Sequence, residues 1–93
     1  MTAQVQQNYN RWKAIVTSDT VNFDGSTYSA TASVKAEPCD AIWVGAAGIV
    51  VAIAQDGTAT SFTCVAGTLL PVTAIRVNNT TTSASLMVAM YLV

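Results

Sequence analysis

The chain has 93 residues, a formal net charge of −1, 10% charged and 52% apolar side chains, and no histidine. That length supports a single core, and charge this sparse and scattered excludes nucleic-acid binding through a basic stripe. A small domain leaves much of its surface exposed, so a composition this poor in charge implies that other protein covers part of its apolar surface.

In chain order, residues 1–11 begin MTAQVQQNYN, polar and rich in Gln and Asn, and predict a flexible or partner-ordered arm ahead of one β domain over 12–93. The opening lacks the basic start and apolar block of an export signal, so synthesis in the cytoplasm is expected. Trp12 to Val16 reads as a first strand or extended segment. Ser18-Asp19-Thr20 and Asp24-Gly25-Ser26 follow as turns, because their side-chain oxygens bond nearby amides and Gly25 tolerates positive φ. Residues 26–36, STYSATASVKA, alternate small or apolar with polar side chains, the pattern of a strand with one wet face, and Pro38 ends it.

Ala41 to Val44 and Ile49 to Ala54 are expected as strands separated by a bend at Gly45-Ala46-Ala47-Gly48. Asp56-Gly57 supplies the positive φ of a tight hairpin, with Thr58 to Val65 returning. Ala66-Gly67-Thr68 reads as a turn. A strand from Val72 to Val77 follows Pro71, and the polar tract Asn78 to Ser83 leads to a last strand, Ala84 to Leu92. Segments 49–54 and 84–92 are apolar on both faces, whereas strands with one wet face alternate. The fold class is therefore all-β, a small antiparallel β-sandwich or barrel, with a neighbouring subunit expected to cover the second apolar faces. The interface residues so implied are Val50, Val51, Ile53, Leu69, Leu70, Met87, Met90 and Tyr91.

Catalytic, metal and cofactor sites are not expected. The serines and threonines have no histidine to act as base, the five carboxylates form no paired motif, and Gly45 to Gly48 lacks the Lys-Ser/Thr tail and helix of a phosphate loop. Apolar stretches here are too short for a membrane helix. Cys39 and Cys64 read as reduced, buried thiols or as a disulfide. Trp43, inside an apolar strand, reads first as core and next as part of a subunit interface; together with Trp12 it could instead be a sugar-stacking platform.

Three stretches in order carry a family resemblance: VTSDT (16–20), AIWVGAAGIVVAIAQDGTATSFTCVAGTLLPV (41–72) and RVNNTTTSASLMVAMY (76–91). With them the chain resembles the head spike base proteins of gene transfer agents and their relatives in tailed phages, the Gly67-Thr68-Leu69-Leu70-Pro71-Val72 corner being the most specific piece. The chain departs from the pattern at Asp24 to Pro38, which is extra, at Thr73, where a basic residue is common, and at Val65-Ala66, which lacks a proline. The resemblance implies a non-enzymatic virion structural protein on the capsid exterior, a homo-oligomer (trimer or pentamer) bound to the major capsid protein and carrying a spike or fibre protein. A cement protein on the shell face is the nearest alternative. A carbohydrate-binding adsorption module is the alternative of another class.

Overall fold

The computed structural model describes residues 9, 11–27 and 36–92. Its described strands are β1 (Arg11–Ala14), β2 (Ala41–Ala46), β3 (Gly48–Ala54), β4 (Ala59–Cys64), β5 (Thr68–Leu70), β6 (Ala74–Val77) and β7 (Ser85–Tyr91). They form two antiparallel sheets, one ordered β1-β7-β2-β5 and the other β4-β3-β6. The all-β sandwich expected from the sequence is the fold observed. Most of the arm and most of the wet-faced strand expected over 26–36 lie outside the described residues.

Period-two alternation decides which side chains enter the space between the sheets. Ile42 pairs with Ala89 and Leu70, and Val44 with Met87 and Thr68, so these side chains share the inner face of the first sheet. Facing them, Val50, Ala52, Cys64, Ala74 and Val77 come from the second sheet. Burying a side chain of Ile or Val size stabilises by roughly 1.5–3 kcal/mol each, so this inner layer is the main source of stability.

An irregularity in β6 builds a second, smaller core. Ile53 pairs with Arg76 and Ala54 with Ala74, so the register slips and Ile75 becomes an extra residue. Such a bulge lets two successive side chains leave by the same face. Ala74 and Val77 therefore stay inside, while Ile75 is buried with Val51 and Ile53 in a separate cluster. Residues 49–54 were expected to be apolar on both faces, and both faces are buried within the single chain.

The strands depart from expectation at the glycines. β2 continues through Gly45 and β3 starts at Gly48, leaving only Ala47 between them. A Cβ on Gly45 would lie 2.6 Å from the Leu86 carbonyl oxygen, so glycine there serves close approach of two backbones within a sheet. Thr68 was read as the end of a turn and Leu69-Leu70 was given no element, and the three residues form β5, an edge strand paired with Ile42, Trp43 and Val44.

The turns are tied by carboxylates. Asp19 accepts from the Asn79 and Thr80 amides at 2.9 Å each and from the Thr80 hydroxyl at 2.6 Å, joining the Ser-Asp-Thr turn to the Thr-rich loop. Asp40 accepts the Leu92 amide at 2.6 Å. Because Thr80 donates twice to its charged form, the Asp19 carboxyl is held below its ordinary range.

Candidate interaction surface

The same alternation that fills the core sends the other half of the first sheet outward. Trp43 pairs with Val88 and Leu69, and Val88 in turn with Ala14; Met90 pairs with both Trp12 and Ala41. Two cross-strand rows result, Ala14-Val88-Trp43-Leu69 and Trp12-Met90-Ala41, with no charged side chain in either. Trp12 is 64% exposed, Trp43 41% and Leu69 43%. Leu86 extends the face at its end, 76% exposed and at φ 56°, a conformation that is costly for a side chain of its size.

The two cations of β1 point away from these rows. The Arg11 guanidinium lies over the Tyr91 ring, 4.1 Å from its centroid, and pairs with Glu37. Lys13 donates to the Phe23 carbonyl at 2.5 Å. Both charges are thereby engaged at the inner side of the strand, and the outer side remains apolar. Isolated exposed apolar residues are ordinary on protein surfaces, whereas an uncharged sheet face carrying two exposed tryptophans is a candidate interaction surface.

The sequence-derived interface residues divide between the two sides. Val50, Val51, Ile53, Met87 and Tyr91 are buried within the chain itself. Leu69 is exposed, and Leu70 and Met90 are partly exposed, with Leu69 and Met90 in the outer rows. Trp43, read first as core, is an outer-face residue, because its neighbours Ile42 and Val44 both turn inward. Sequence reasoning had grouped it with the core on local hydrophobicity, and the signal that places it is this parity. Trp12, Val88 and Leu86 were absent from the implied set, and their shared face emerges only once β7 is known to lie between β1 and β2.

Among the described residues no group of three or more His, Cys, Asp or Glu side chains could hold a metal ion, and no helix is long and apolar enough to cross a membrane. Cys39 and Cys64 are free and buried, and burial pushes both thiols up. A cleft of about 430 Å³ beside β1, lined by Lys13, Val16, Val21 and Phe23 among others, is mainly apolar.

A solved structure described as the capsid of a native GTA particle computed with C5 symmetry contains a chain similar to this one in fold, with a TM-score of 0.59 and 24% identity over 89% of this chain and 83% of that one. No protein-family model and no curated protein matches the chain.

Proposed function

We propose that the chain is a non-enzymatic structural protein of a phage-type virion. In this reading it sits on the capsid exterior as a spike base at vertices, binds the major capsid protein, and anchors a fibre or receptor-binding protein. The observation that carries the reading is the uncharged outer face bearing Trp12, Trp43, Leu69, Val88 and Met90, since aromatic and Met side chains free of charge are the chemistry of protein–protein contact cores. Fold likeness to a chain of a structure described as the capsid of a native GTA particle supports the same setting. Leu69, Leu70 and Met90 are the contact residues carried forward from the sequence.

Particles purified from cells that make this chain should contain it, and chains with Trp43→Lys should be missing from them although folded. Particles that lack the unaltered chain would overturn the reading. A second reading has one specific observation in its favour: Trp12 and Trp43 share an exposed face, as a sugar-stacking platform requires. Tryptophan fluorescence that responds to glycans in solution would favour it.

A further inference from the structure

β3 lies between two strands for only part of its length. β4 pairs with it from Gly48 to Ile53, whereas β6 reaches only Ala52 to Ala54. Past Val77 the chain runs on beside β3 as residues 78–83, which form no strand yet bond to its edge in the place of one. The Asn78 amide donates to the Val51 carbonyl and the Ser83 amide to the Ile49 carbonyl, both at 2.9 Å. In return the Val51 amide donates to the Thr82 hydroxyl at 3.0 Å and the Ile49 amide to the Ser83 hydroxyl at 2.9 Å. Two side-chain hydroxyls thus accept where a neighbouring strand would offer carbonyls, and the outward amides and carbonyls of Ile49 and Val51 are satisfied by this one segment.

The segment is strained and lies at the surface. Thr81 sits at φ 75°, a region that β-branched residues rarely enter, and Asn79, Thr80, Thr81 and Ser83 are exposed. Its apex is tied from the side by a turn that is itself anchored to β6. Ser18 donates its amide to the Val77 carbonyl at 3.0 Å, and its hydroxyl accepts from the Thr20 and Val21 amides, which fixes Asp19 in place. The Asp19 carboxylate takes hydrogen bonds from the Asn79 amide and from the amide and hydroxyl of Thr80. Thr17 and Arg76 also bond to Asn79 and Asn78, and Asp19 reaches one residue further, to the neighbour of the strained Thr81. We propose that residues 78–83 are a strap that opens from the edge of β3 as one unit, with the charged Asp19 carboxylate as its latch.

The latch works through charge. An ionised carboxylate only accepts, and what converges on Asp19 is two amides and a hydroxyl, all donating; a protonated carboxyl would bring a further donor among them. Arg76 of β6 is the charged side chain acting on Asp19, and it favours the same ionised form, while residues 17, 18, 20 and 78–83 bring neutral side chains. The strap is therefore closed while Asp19 is ionised and opens as pH falls through the folded-state pKa, which lies below the ordinary carboxylate value. Once Thr80 is free, Thr81 relaxes from its left-handed conformation, and the Thr82 and Ser83 hydroxyls lose the backbone path that aims them at β3. Opening unpairs Ile49 and Val51 but leaves the β4 side of β3 and the whole first sheet intact. Exposed segments of this kind open locally, without unfolding the domain.

Amide hydrogen exchange of the full chain, followed by NMR at neutral pH, tests the proposal, with Ile42 and Val44 of the first sheet as internal references. In Asp19→Ala the amides of Ile49, Val51, Asn78 and Ser83 should exchange several-fold faster than in the parent, all by a similar factor, while Ile42 and Val44 are unchanged. If Asp19→Ala fails to fold, Thr80→Val, which keeps the carboxylate and removes one donor, should accelerate the same four amides. In the parent, exchange at Ile49 and Val51 relative to the references should rise below about pH 4, and in Asp19→Ala that rise should be absent. Ile49 and Val51 as protected without Asp19 as with it, acceleration of all amides by one factor, or four amides that respond independently would each overturn the proposal.

Discussion

Gly48 and Ala84 approach so closely that a Cβ on Gly48 would lie 2.5 Å from the Ala84 nitrogen. Gly48 also sits at φ +154°, and the Ala84 amide donates to the adjacent Ile49 carbonyl at 3.2 Å. This contact sets the spacing between β3 and the approach to β7, linking the two sheets at one end. Gly48→Ala must push two backbones apart, and it should cost at least about 3 kcal/mol, at the upper end of single-substitution effects. Urea unfolding of the purified variant measures it, and a midpoint equal to the parent's would contradict the close approach.

Leu86 offers the opposite case. Its left-handed backbone costs a non-glycine residue roughly 1–2 kcal/mol, and its side chain is largely exposed. Leu86→Gly should raise the stability of the isolated chain by about 1 kcal/mol by relieving that strain. The same change should weaken association if Leu86 belongs to the contact face. Thermal melting and a binding assay on one preparation separate the two effects.

Trp43→Lys tests the outward face directly. Because Trp43 is not part of the inner layer, its replacement should alter unfolding stability by less than about 1 kcal/mol, whereas loss of a central aromatic from a contact costs 2 kcal/mol or more, roughly a thirtyfold weakening. Unfolding of Trp43→Lys at much lower denaturant would return the residue to the core.

Acid should loosen the junction between the Ser-Asp-Thr turn and the Thr-rich loop. The Asp19 pKa is depressed in the fold, chiefly by the Thr80 hydroxyl and amide, so its contribution is present above the unfolded-state pKa and is lost as pH falls through the lower folded-state value. The Asn79 and Thr80 amide resonances should therefore titrate together below about pH 4, where an unperturbed Asp takes up its proton. In Asp19→Asn that titration should vanish.

Cys39 and Cys64 should resist thiol reagents while the chain is folded and react fully in denaturant, since both are buried and burial raises both thiols. Fast labelling of the native chain at either position would show that the core opens there.

The hairpin of β3 and β4 was legible in the sequence because Asp56-Gly57 supplies its turn between two strand-forming runs, and in the fold Phe62 and Cys64 face the core. The last strand was legible as an apolar stretch, but its two faces were not told apart, and the fold puts Met87, Ala89 and Tyr91 inside. β5 was not, because Thr68-Leu69-Leu70 is too short for a period and abuts a proline. The bulge at Ile75 and Arg76 defeats period-two reading, which places neighbours on opposite faces. The outer face was hidden for a different reason: it depends on β7 lying between β1 and β2, a long-range pairing that no local pattern carries.

The most direct measurement is a density map of intact particles from the organism that makes this chain. The account predicts density for this β-sandwich at the capsid vertices with the face of Trp12, Trp43, Leu69 and Met90 pressed against another protein. Density in which that face looks into solvent, or particles with no such density, would contradict it.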